Sequence, residues 1–143
     1  MDNTLQFLRK ECIIMILVGI DIGKNKHTFS IVDKGTGEIL SNPAIFDNNL
    51  AGFLYLIKKL RGYVKSELLI GMEDTGHYHL ALLKYLLDNR YTVSLINPTT
   101  TDLTRKIQGG IAKNDTLDSI TICDVISSNR RKKPYRITKE LFT

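Results

Sequence analysis

The sequence has little cysteine, little proline and no long hydrophobic run. Its 143 residues include two cysteines, three prolines and ten glycines. This composition excludes disordered, collagen-like and repeat proteins. The cysteines lie far apart in a chain large enough to fold without crosslinks, so we expect a reducing compartment, the cytoplasm. The longest apolar run, Cys12 to Ile20, has nine residues, well short of the roughly 20 that a membrane helix needs.

The basic charge is unevenly distributed along the chain. The formal net charge is +5, and residues 105–143 carry the whole excess, with nine basic and four acidic side chains. Such asymmetry is typical of a surface that faces a polyanion. The basic run Arg130 to Lys133 is by itself more often a solvated tail than a specific nucleic-acid site, so the charge alone does not assign a partner.

The hydrophobic pattern predicts an α/β fold. The apolar, β-branched segment Ile13 to Ile22 predicts a central strand, and Thr28 to Val32 and Glu38 to Ile45 complete an antiparallel meander. A helix capped by Asp47 follows, and then a strand, a helix and a strand from Leu68 to Ile96 form a parallel crossover. Three antiparallel strands followed by alternating helices and strands predict a mixed five-stranded sheet flanked by helices, the ribonuclease H-like layout.

Beyond the last strand the pattern weakens. Thr99 to Ile107 and Asn114 to Ser127 have helical spacing on either side of a glycine pair. On the second of these helices Asp115 and Asp118 are three residues apart, so they would share one face.

Several acidic residues lie at or near the strand ends that this layout brings together. Asp21 ends the first strand and Glu73 ends the fourth, so these two would meet Asp115 and Asp118 if the last helix packs against the strand ends. Their mutual repulsion would raise their pKa values unless hard cations lay among them, and Mg²⁺ or Mn²⁺ suits oxygen ligands. Two such ions stabilise the attacking and leaving oxygens of an in-line phosphoryl displacement. We therefore predict cleavage or transfer of a phosphodiester.

Each carboxylate also has a structural interpretation. Asp21 alone could open a turn, Glu73 could pair with a lysine, and Asp115 could be an acidic residue of a first helical turn. The joint placement of the four residues favours the metal site.

Four short motifs carry a family resemblance. They are Gly19 to Lys24, Glu73 to Tyr78, Ile96 to Pro98, and Lys113 to Asp118. The set resembles the N-terminal domain of insertion sequence 110 family transposases, relatives of the Piv-type DNA invertases, although Asn114 replaces a small hydroxyl residue. The resemblance implies a RuvC-like DEDD domain with Asp21, Glu73, Asp115 and Asp118 as catalytic metal ligands.

The same resemblance implies DNA as the substrate and a structured non-coding RNA as a guide. The resemblance is also compatible with a homo-oligomer. Family members are longer, with a coiled coil and a C-terminal domain carrying a serine nucleophile, for which little sequence remains here. We expect residues 1–14 to be an N-terminal extension, residues 15–128 to be the RuvC-like domain, and residues 129–143 to be a basic tail.

Several basic residues are candidates for contacting nucleic acid. They are Lys24 after the first aspartate, and Arg105, Lys106 and Lys113 beside the glycine pair. The three histidines do not have zinc-ligand spacing with the cysteines, so we expect no transition-metal site built from histidine and cysteine.

Two alternative functions stay open at this point. A catalytically silent DNA-binding fragment would have the same sequence, because an intact acidic set does not prove turnover. An actin-like or sugar-kinase-type ATPase is suggested by the turn Asp21-Ile22-Gly23 before a hairpin, although that architecture needs two lobes.

Overall fold

The structure, a computed structural model, describes residues 13–97 and 117–128. The described residues form five strands and three α-helices. The strands are β1 (Ile16–Asp21), β2 (Lys26–Asp33), β3 (Ile39–Asp47), β4 (Leu68–Glu73) and β5 (Thr92–Ile96). The helices are α1 (Leu50–Leu60), α2 (Leu80–Asp88) and α3 (Ser119–Ser127), and a 3₁₀ turn, Lys65–Glu67, precedes β4.

The strands form one mixed sheet in the order β3-β2-β1-β4-β5. β1, β2 and β3 are antiparallel neighbours, whereas β1 and β4, and then β4 and β5, are parallel. This arrangement confirms the predicted ribonuclease H-like layout. Because β1 and β4 are parallel and adjacent, their carboxyl ends lie at the same edge of the sheet.

Helices cover both faces of the sheet. Val18, Ile20, Ile70 and Met72 belong to the core beneath α1 and α2. Leu17 and Leu69, which alternate with them, belong to a smaller core beneath α3. β1 therefore lies between two apolar layers, and this explains why its sequence is almost continuously hydrophobic. No helix in the described part of the chain is long and apolar enough to cross a membrane.

Two glycines let α3 lie directly on the sheet. Gly19 of β1 and Gly71 of β4 are register partners on the face that α3 covers. A methyl group at Gly19 would overlap the backbone oxygen of Ser119, and one at Gly71 would overlap the side chain of Ile126. Ser119 also shares a buried hydroxyl hydrogen bond with Ser30 of β2, at 2.5 Å. The start of α3 is thus fixed over the centre of the sheet.

Two predicted helix starts are wrong. Helix α1 is capped by Asn49, whose side chain accepts from the Gly52 amide, because β3 continues to Asp47. Helix α3 begins at Ser119 rather than at Asn114, since Asp118 has extended backbone angles and caps the helix. The predicted helix from Thr99 to Ile107 lies outside the described residues.

Candidate metal centre

Asp21 and Glu73 end neighbouring strands on one face of the sheet. The β1–β4 register pairs Ile20 with Met72, and its next step sets Asp21 level with Glu73. Side chains alternate along a strand, so both residues share the face of Gly19 and Gly71, which is the face that α3 covers. Asp21 is half-buried, and Glu73 is only 6% exposed. Two of the predicted ligands therefore lie at adjacent positions of the central strands.

Glu73 is bonded to the segment that leads into α3. Its Oε1 accepts a hydrogen bond from the backbone amide of Leu117, at 2.9 Å. Leu117 is itself buried in the core beneath α3. This bond stabilises a carboxylate that would otherwise be costly to bury, and it joins the end of β4 to the start of the last helix.

Asp118 directly follows Leu117, the residue whose amide is bonded to Glu73, and it is the N-cap of α3. Its Oδ1 accepts from the Thr121 amide at 2.7 Å. The prediction that Asp118 lies within a helix, three residues after Asp115, is therefore wrong, because the cap marks the point where the helix begins. Asp115 lies outside the described residues.

The described carboxylates do not form a complete ligand set. Within residues 13–97 and 117–128, no group of three or more histidine, cysteine, aspartate or glutamate residues is close enough to hold a metal ion. Two carboxylates on adjacent strand ends offer oxygen ligands, the donors that a hard divalent cation prefers. The chemistry of Asp21 and Glu73 thus fits such an ion, and further ligands must come from outside this pair.

The predicted basic contacts are only partly described. Lys24 is exposed in the turn that follows Asp21. Arg105, Lys106 and Lys113 lie outside the described residues.

Asp74, next to Glu73, has a different role. Its Oδ1 accepts from the Gly76 amide at 3.2 Å and lies 3.6 Å from Nε2 of His79. These contacts shape the loop that leads to α2, in which Gly76 has a φ of 90°. Asp74 is a turn residue, so the geometry favours Glu73 as the carboxylate that faces α3.

Two buried histidines beside this edge were not predicted to matter. His27 and His79 are 0% and 2% exposed, and burial lowers the pKa of each imidazole. Nδ1 of His27 accepts from the Gly23 amide at 3.2 Å, in the turn that follows Asp21. The alternation of His27 with Phe29 and Ile31 in β2 places it on the core face, and this is the sequence signal that could have identified it.

The buried thiol of Cys123 is not a candidate ligand. Burial raises its pKa to about 12, so it stays protonated, whereas metal binding requires the thiolate.

Replacing Asp118 should separate its capping role from its charge. We expect Asp118→Ala to lower the free energy of unfolding by about 1 kcal/mol, because the Thr121 amide loses its acceptor, and Asp118→Asn to change it little, since asparagine caps equally well. Urea denaturation without divalent cations measures both. Asp124→Ala, at an exposed position of the same helix, is the control. Equal losses in the alanine and asparagine variants would contradict the capping role.

Comparisons with known proteins agree with this fold. The family model of the DEDD transposases of insertion sequence 110, described as "Transposase", matches residues 18–143. A structure of Thermus thermophilus RuvC is similar at 13% sequence identity and a TM-score of 0.52, covering 85% of this chain and 100% of that chain. A second structure, T. thermophilus RuvC in complex with Holliday junction substrate, has 12% identity, a TM-score of 0.47, and coverage of 79% and 90%. No curated protein matches.

Proposed function

This chain belongs to the DEDD transposases of the insertion sequence 110 family, and on that premise we propose that the edge of the sheet at Asp21 and Glu73 is the site where DNA strands are cleaved or joined. The chain has the RuvC-like, ribonuclease H-type fold and is a DNA transposase catalytic domain. The observation that carries the proposal is the placement of two carboxylates on adjacent central strands, with Glu73 bonded to the residue before Asp118.

Asp21, Glu73, Asp115 and Asp118 together are the proposed ligand set. Asp21, on the central strand, would hold two Mg²⁺ or Mn²⁺ ions together with Glu73 and the two later aspartates. The hydrogen bond to Thr121 uses one of the two oxygens of Asp118, so capping and ligation are compatible. Bound divalent cations would supply charge stabilisation for both the attacking and the leaving oxygen.

DNA is the proposed substrate, and basic residues would hold it. Lys24 would contact a phosphate next to Asp21, and Arg105, Lys106 and Lys113 would hold the strand from the segment before α3. Family membership also supports a structured guide RNA and a second copy of the chain as partners, and the cytoplasm as the compartment. The proposed division of the chain is an N-terminal extension (residues 1–14), the catalytic domain (residues 15–128) and a basic tail (residues 129–143).

A cleavage assay tests the proposal. The protein is incubated with nicked and branched duplex DNA and millimolar Mg²⁺ or Mn²⁺. We expect products that require the metal and disappear with a chelator. Tight binding without cleavage would support the catalytically silent fragment instead. ATP hydrolysis without DNA would support the actin-like alternative.

Removing residues 129–143 should flatten the salt dependence of DNA binding. The segment contains six basic side chains and one acidic side chain. Each phosphate contact contributes about 0.9 to the slope of log affinity against log salt, so the slope should fall by up to about 5. Fluorescence anisotropy across a salt series measures it. The double variant Lys58→Gln, Lys59→Gln, on the exposed side of α1, is the control, and an unchanged slope in the truncated chain would contradict a role of the tail in binding.

A further inference from the structure

Asn48 links two loops that are distant in the sequence. It lies between β3 and α1, and its side-chain amide donates to the backbone oxygen of Lys24 at 3.0 Å and of Tyr78 at 3.4 Å. Its backbone amide also donates to the oxygen of Asn25, at 2.9 Å. One residue therefore makes three hydrogen bonds to two separate segments.

These two segments directly follow the carboxylates of the candidate centre. The turn with Lys24 and Asn25 follows Asp21 at the end of β1, and the loop with Tyr78 follows Glu73 at the end of β4. Asp21 is still paired with Thr28 and Glu73 with Ile96, and the chain leaves the ladder directly after each of these two residues. Bonds between the two loops therefore act where the sheet no longer restrains the backbone.

The buried side chain of His27 is hydrogen-bonded to the same turn after Asp21. Its Nδ1 accepts from the Gly23 amide, so in the neutral ring the proton is on Nε2. Among the described residues, neither Nε2 of His27 nor Oδ1 of Asn48 has a hydrogen-bond partner, although both atoms are buried. Burial lowers the pKa of His27, and the Asn48 side chain opposes this shift.

We propose that Asn48 is a positioning residue, which holds the turn after Asp21 and the loop after Glu73 at a fixed separation. The role of the two carboxylates rests on the proposed function, whereas the coupling of the loops does not. A metal centre needs ligands held within about 0.5 Å of the productive geometry by supporting hydrogen bonds. Asn48 supplies such support from outside the ligand set.

Hydrogen exchange of the full chain tests the coupling. In Asn48→Ala we expect the amides of residues 22–27 and 74–80 to exchange about tenfold faster, because both segments lose a bond to the same side chain. The amides of β5 and α3 should keep their rates. Asn42→Ala, at an exposed position of β3, is the matched control and should change neither segment. Loosening of only one segment, or of neither, would overturn the proposal.

A second variant distinguishes the loss of these hydrogen bonds from misfolding of the alanine variant. Asn48→Asp keeps the size of the side chain and the oxygen near His27, but it removes both side-chain donations. We expect it to loosen the same two segments, and wild-type exchange in this variant would also overturn the proposal.

A metal titration of DNA cleavage then tests the consequence for the site. In Asn48→Ala we expect the Mn²⁺ concentration for half-maximal cleavage to rise about tenfold, with most of kcat recovered at saturating metal, since the ligands are intact but less ordered. A loss of kcat that metal does not restore would contradict positioning. Absence of cleavage in the wild type would refute the proposed function, and the exchange result would still decide whether Asn48 couples the loops.

Discussion

Asp21→Asn is expected to reduce metal-dependent DNA cleavage at least about a thousandfold. The residue ends the central strand, level with Glu73, and the amide removes the negative charge that a divalent cation needs. Charge stabilisation by a metal ion contributes several kcal/mol to a phosphoryl-transfer transition state, and each 1.4 kcal/mol is a factor of ten in rate. Single-turnover cleavage at saturating Mg²⁺ measures the loss.

The fold of this variant should be intact. Asparagine has nearly the same size as aspartate, so we expect thermal unfolding without metal to change little. We expect Mg²⁺ to raise the Tm of the wild type by binding to the folded state, and this rise should disappear in Asp21→Asn. Asp47→Asn, at an exposed carboxylate that lies 3.9 Å from the ammonium group of Lys26, should cleave as the wild type does. Cleavage by Asp21→Asn within tenfold of wild type would refute the site.

The fold was predictable from the sequence because it is set by local periodicity. The continuous apolar run of β1, the alternation in β2 and the helical spacing after Asn49 each specify one element. Short connections then restrict the order of the strands to a few arrangements. The positions of Asp21 and Glu73 were predictable in the same way, since both end strands that the pattern delimits.

The start of α3 was not predictable in this way. The residues before it have helical spacing, but the hydrogen bond from Leu117 to Glu73 joins residues 44 positions apart. A contact over that distance overrides local propensity, and no pattern within a short window contains it. The contacts of Asn48 with Lys24 and Tyr78, 24 and 30 positions away, were missed for the same reason.

Substitution of the paired glycines beneath α3 is expected to have the second large effect, a loss of stability. We expect Gly19→Ala to lower the free energy of unfolding by about 3 kcal/mol, the upper end of the usual cost of overpacking, because the overlap is with the backbone oxygen of Ser119 and not with a mobile side chain. That loss corresponds to a fall in Tm of roughly 10 °C for a chain of this size. Gly71→Ala should cost less, about 2 kcal/mol, since the overlap there is with a side-chain methyl group of Ile126 rather than with the backbone.

Gly19→Ala should also impair the site. The cap of α3, Asp118, directly follows Leu117, and the amide of Leu117 is bonded to Glu73. Raising the helix from the sheet moves Leu117 away from Glu73, so we expect Gly19→Ala to cleave DNA poorly even at temperatures where it is folded. Gly62→Ala is the matched control, because a methyl group there meets no atom within 4 Å. Calorimetry and cleavage at 20 °C measure the two effects. A Gly19→Ala protein with wild-type Tm and activity would show that α3 does not rest on the sheet at Gly19, and the link from Glu73 through Leu117 to Asp118 would then have to be abandoned.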